Sequence, residues 1–315
     1  MNKKHTQNIV AESRHTLPIT ILYGIGIWFL AGLAHQGWWF QFVCFLASVY
    51  TMIRLNNSNL LIRIYSRSVS VFYILLYCIT TWTFPSVQGS VVLLCSALAL
   101  LLLFYCYQDQ RTTGKSFYIF LLISIVSLVE PLYLLFIPIF LLLMATTVYS
   151  LSFRTFLASL IGLITPYWLY TGWQLFIHRT TPTMSLDYLK RFTDINWTTD
   201  YTAVTYQQWA FLILIVILFI VGSIHFWITS YKDKIRVRQI YNSLIMLTIY
   251  TIVLIALQPQ KFDVFIGMLT IAVAPIIAHF VSLTRTRMSN IFFFVMMAAI
   301  LLQTCMNLWN SLSTF

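Results

Sequence analysis

Carboxylates are scarce in this chain. Eight Asp and Glu serve 315 residues, and all charged side chains together make up 9% of the sequence, where a soluble domain carries about 25%. So thin a polar skin cannot cover a water-soluble core of this length, which excludes a soluble enzyme or binding module. It also excludes a string of buried acids acting as a proton relay. The five cysteines, Cys44, Cys78, Cys95, Cys106 and Cys305, all fall inside apolar runs with no CxxC. They read as small buried hydrophobes and not as a disulfide framework or metal site. There is no Walker loop, no GxGxxG, no HExxH and no GxSxG, so no cofactor and no metal is expected. No internal repeat is evident, which argues against a transporter built from duplicated halves.

What is present is apolar length. The chain is 60% hydrophobic, with a mean hydropathy of +0.83. A span needs about 20 apolar residues to cross a hydrocarbon core of about 30 Å. Eleven segments qualify: 17–33, 39–53, 69–85, 90–107, 117–129, 132–149, 156–177, 207–229, 240–257, 263–283 and 291–309. The predicted fold is an all-α, polytopic transmembrane helix bundle forming a single integral membrane domain, 1–315. Residues 1–16 form a polar N-terminal tail, with an uncleaved first helix after it. Residues 178–206 form the one long extracytoplasmic loop.

Lys and Arg in alternate connections set the orientation, because cytoplasmic loops are enriched in them. Fifteen of the nineteen fall on one side and four, Arg179, Lys190, Arg191 and Lys261, on the other. That split predicts a cytoplasmic N-terminus and an external C-terminus. The net charge of +11 is spread over six connections instead of one soluble face, so it points to lipid headgroups and not to nucleic acid. Arg63, Arg67, Lys232, Lys234, Arg236 and Arg238 are the expected headgroup contacts. In NLLIRIYSRS (59–68), Arg63 and Arg67 stand four apart. That segment either lies helically along the inner leaflet or is a plain basic loop.

Glu130-Pro131 interrupts the apolar run from Phe117 to Val148. Residues 117–129 give only about 20 Å of helix, so the hairpin either spans a locally thinned bilayer or turns at depth, giving eleven spans or nine plus a re-entrant pair. In both cases Pro131 opens the returning helix, and Glu130 can cap its free amides or line an outward-facing cavity. With Lys261 and Asp263 from QPQKFD (258–263), and Arg179, Lys190, Arg191 and Asp194 from the long loop, it completes the candidate outer cavity. Arg179 and Arg191 offer the planar donors that suit a phosphate. His279, near the inner end of its span, reads as structural.

Two stretches carry a resemblance. KSFYIFLLISIVSLVEPLYLLFIPIFLLLMATTVYSLSFRTFLASLIGLITPYWLY (115–170) and QPQKFDVFIGMLTIAVAPIIAHF (258–280) resemble an uncharacterised family of integral membrane proteins from Gram-negative bacteria. The shared features are a short apolar pair turning at a proline, a following helix with an arginine and a Thr-Pro-Tyr-Trp, and a later helix with a central proline. The resemblance implies a multi-pass protein of the bacterial inner membrane and brings no activity with it. The first stretch also resembles, more faintly, the middle of lipid-linked glycosyltransferases of the C superfamily, through its hairpin proline, Arg154 and Pro166-Tyr167-Trp168. That family places a catalytic acid in a long first outer loop. Here the corresponding residues 34–39 are AHQGWW, without an acid.

Three functions fit this reading. The first is a non-catalytic membrane subunit or scaffold for another membrane protein. The second is handling of envelope lipids or a lipid-linked glycan at the outer face, as a divergent transferase or polymerase. The third is a transporter. Membrane lipids are partners in every case.

Overall fold

The computed structural model describes residues 5–178 and 199–313. Among these there is no strand, and thirteen α-helices carry the chain. They are α1 (Thr6–Glu12), α2 (Thr16–Leu30), α3 (Leu33–Gln36), α4 (Trp39–Asn59), α5 (Ser68–Ile79), α6 (Val87–Tyr105) and α7 (Thr113–Val129). After them come α8 (Phe136–Thr146), α9 (Phe153–His178), α10 (Tyr206–Thr229), α11 (Ile235–Leu257), α12 (Phe262–Leu283) and α13 (Arg287–Ser313).

Local chemistry sets where these helices stop. Gly32 (φ 106°) and Gly37 (φ 71°) take left-handed conformations after α2 and α3, which glycine adopts without a Cβ clash. The apolar run expected over 69–85 is shortened to α5 because Thr80 and Thr83 turn their hydroxyls onto the carbonyls of Tyr77 and Thr80. Such side-chain bonds compete with the helix ladder. Thr205 and Gln208 form a reciprocal capping box at the start of α10, satisfying amides that the helix leaves free. The stretch 60–67 is irregular and begins at Leu60 (φ 50°). Of the two alternatives for NLLIRIYSRS, the structure therefore shows the loop and not a helix with Arg63 and Arg67 on one face.

Among the described residues, five elements are long and apolar enough to cross a membrane: Val87–Tyr105, Tyr206–Lys232, Ile235–Leu257, Pro259–Leu283 and Arg287–Ser311. Shorter apolar helices occupy Thr16–Leu30, Ser68–Ile79, Thr113–Val129 and Pro131–Thr146. Helix α12 is the pillar of the bundle. Its apolar window is wholly buried, and α5, α6, α10 and α11 pack around it. Elsewhere α4 lies on α5 and α6, α2 on α5, and α7 on both α6 and α9. Around the periphery, large side chains such as Phe176, Trp168, Trp309 and Ile228 remain exposed. A soluble protein rarely leaves so much apolar surface uncovered; a bilayer covers it.

With lipid outside, tails as apolar as leucine give helices little hydrophobic reason to associate. Close approach and interhelical hydrogen bonds take over. At Gly162 of α9 an added Cβ would run into the Phe117 carbonyl oxygen of α7, and at Gly222 of α10 it would lie 2.8 Å from Ile276 of α12. Hydroxyl pairs tie other contacts: Ser48 with Tyr73 at 2.6 Å, Ser243 to Thr147 at 2.6 Å, and Ser96 with Tyr133.

Candidate functional site

The charged side chains gather at the two ends of α12. The polypeptide brings them there by running back and forth. Asp263, in the first turn of α12, accepts hydrogen bonds from Trp82 Nε1 (2.9 Å) and Gln208 Nε2 (3.0 Å). These donors follow α5 and open α10. Sixteen residues on, His279 at the other end of α12 meets Asp233, between α10 and α11. Arg236 joins that end to the tail of α6 through the Phe104 carbonyl (3.3 Å) and to α4 through Asn59 (2.7 Å). Successive long helices thus alternate in direction.

At the Glu130 end the sequence-derived candidates meet in part. Pro131 opens a 3-10 turn, Pro131–Leu135, that leads into α8, and Glu130 sits at its N-cap position with an extended backbone. The Glu130 side chain makes no capping bond there. It accepts instead from Lys261 Nζ at 3.2 Å, the two side chains being 17% and 46% exposed. This contact joins the α7–α8 hairpin to the α11–α12 turn. Tyr250 of α11 adds a bond to the Leu135 carbonyl. Asp263 lies two residues from Lys261 but faces Trp82 and Gln208. Arg179, Lys190, Arg191 and Asp194, the loop members of the outer cavity, lie outside the described residues. At the entry to α10, the hydroxyl and amide of Thr202 hold the exposed Asp200 carboxyl below its usual pKa.

The opposite end carries a cluster that sequence reasoning did not assemble. Asp233 Oδ2 lies 3.1 Å from His279 Nε2, and Asp233 Oδ1 lies 2.7 Å from Arg63 Nε. The Asp233 and His279 side chains have no exposure, whereas Arg63 keeps 33%. Aromatic rings wall the cluster: Tyr241 and Phe226 stand 4.8 and 5.5 Å from the His279 ring, centroid to centroid, and His225 stands 5.5 Å away. A buried carboxylate is tolerable only with charged or hydrogen-bonding partners, and Asp233 has one of each kind. Arg63 therefore holds Asp233, while part of its side chain stays exposed. Arg67 donates to Tyr65 (3.1 Å) and lies over its ring, and Lys232 lies over Tyr231. Lys234 is exposed and Arg238 half-buried. A cavity of about 270 Å³ opens beside Arg63, Asp233 and Lys234.

Thirteen arginines and lysines mark this as the arginine-rich end; Lys261 is the one such residue described at the other. Among the described residues no group of three His, Cys, Asp or Glu side chains is placed to hold a metal ion. The arrangement is suited to fixing helix ends: Lys261 and Asp263 hold one end of the central helix through Glu130, Trp82 and Gln208, and His279 holds the other through Asp233. Compared with known proteins, the chain matches no family model, no curated protein and no solved structure.

Proposed function

We propose that the protein is an eleven-pass component of the bacterial inner membrane, with the arginine-rich end in the cytoplasm, and that it serves as a non-catalytic membrane subunit or scaffold. The span count rests on the hairpin. Helix α7 has 17 residues, about 25 Å at 1.5 Å per residue. The return through Pro131–Thr146 covers a similar length, since its first turn is the steeper 3-10 form. Because Glu130 reaches Lys261, the hairpin turn stands level with the ends of two full-length helices. That favours a crossing over a loop that turns at depth. The orientation rests on the enrichment of Lys and Arg at one end, as cytoplasmic loops require.

The observation that carries the scaffold reading is that the carboxylates of Glu130 and Asp233 are spent on neighbouring side chains of the same chain. Glu130 faces Lys261, and Asp233 faces Arg63 and His279. Handling of a lipid-linked glycan by Glu130 and Lys261 would first have to separate them. A scaffold needs no such release. The test is purification of the tagged, full-length protein from its native membrane in mild detergent, together with complementation of a deletion by Glu130→Gln/Lys261→Met. A partner at fixed stoichiometry and full complementation are expected. Solute flux or glycan transfer by the protein alone, lost in that double variant, would replace this reading.

A further inference from the structure

We infer that the groove between α2, α5 and α13 at the arginine-rich end binds one acyl chain of an anionic phospholipid, with the headgroup held at the α1–α2 elbow. The groove encloses about 430 Å³, within the range of small-molecule sites. Its walls follow helical spacing. Thr16, Thr20 and Tyr23 come from α2, and Ser68, Phe72 and Leu75 occupy the matching positions of α5. Helix α13 supplies the third wall. Along α2 the groove descends about 10 Å, most of the depth of one leaflet, which is about 15 Å.

Its polarity is graded in the way a lipid requires. Ser13, Thr16 and Ser68 line the end of the groove nearest the α1–α2 elbow, and beyond them the lining is apolar apart from Thr20 and Tyr23. The mouth is held in place. Gln7 and Asn8 of α1 bond the Thr284 carbonyl at 2.6 and 2.9 Å, and Ser66 bonds the Ala11 carbonyl at 2.8 Å. These contacts gather the exposed Arg14, Arg285 and Arg287 on the segments that frame the opening, against the carboxylate of Glu12 on α1. Such a basic rim favours an anionic headgroup over a zwitterionic one. A transmembrane helix of a partner would leave the charged rim without a role, and the groove is bounded at that end by α1. The inference goes beyond the scaffold reading and does not depend on which side of the membrane the rim faces.

The test is native mass spectrometry of the full-length protein in detergent, titrated with palmitoyl-oleoyl phosphatidylglycerol or with phosphatidylcholine of the same chains. One phosphatidylglycerol should be retained, with about tenfold preference over phosphatidylcholine, and Arg14→Gln/Arg287→Gln should remove most of that preference. A second measurement needs no variant: phosphatidylglycerol with a diazirine midway along one chain should label wild-type α2, α5 and α13. Equal retention of the two lipids, or labels spread evenly around the bundle, would overturn the inference.

Discussion

Asp233 and His279 lie 3.1 Å apart with both side chains closed to solvent, and 46 residues separate them in the chain. Arg63, from a third part of the sequence, completes the contact and alone touches water. This asymmetry of exposure sets the order of mutational effects. Arg63→Met leaves a buried carboxylate with only a histidine beside it, and a cost of about 3 kcal/mol is expected. Asp233→Asn leaves an arginine that can turn to solvent, so its cost should be smaller. The double variant should recover most of the loss. Thermal unfolding in detergent measures all three, and strict additivity of the single effects would show that the two residues are not coupled.

Glu130 and Lys261 form a partly exposed ion pair, and such pairs are worth about 0.2–1 kcal/mol. A double-mutant cycle with Glu130→Gln and Lys261→Met should give a coupling in that range. The exchanged pair, Glu130→Lys with Lys261→Glu, should restore it. Weakening by salt is expected as well, because Lys261 is nearly half exposed. A coupling of several kcal/mol would place this contact in a far drier setting than the geometry gives it.

The glycines separate into two classes. At Gly162 a methyl group would meet backbone of α7, which cannot move aside, so Gly162→Ala should lower stability by about 1–3 kcal/mol through overpacking. Gly222→Ala should be milder, since its nearest contact is the Ile276 side chain. Gly26 of α2 has nothing within 4 Å. There Gly26→Ala should be neutral or stabilising by up to about 1 kcal/mol through helix propensity. Equal effects at the three sites would refute the close α7–α9 approach.

Much of this architecture was legible in the sequence because apolar length is a local signal. The eleven apolar segments correspond to α2 and α4–α13, and Glu130-Pro131 marks a real chain reversal. The first arm of the hairpin is longer than its apolar run, because Thr113–Ser116, polar in composition, extends α7 by a turn. The Asp233 cluster was not legible. Asp233 counts as an ordinary loop acid and His279 as a lone histidine until three-dimensional packing brings them together. One signal was available: Asp233 follows the end of α10, and His225 and His279 each sit about one turn from a helix end on the same side. Capping by Glu130 failed for a physical reason as well, since the Lys261 ammonium offers the carboxylate a stronger partner than a neutral amide. For NLLIRIYSRS the sequence left helix and loop open, and the left-handed Leu60 that starts the loop is not revealed by the spacing of Arg63 and Arg67.

The threading is tested most directly by cysteine accessibility in intact cells. In a background with the five native cysteines replaced, single cysteines at Gln260 and at Lys232 would be challenged with a membrane-impermeant maleimide. The proposed orientation, with the arginine-rich end in the cytoplasm, predicts labelling at position 260 from outside and protection at position 232 until the membrane is opened. Labelling of 232 from outside, or of both positions from the same side, would contradict it.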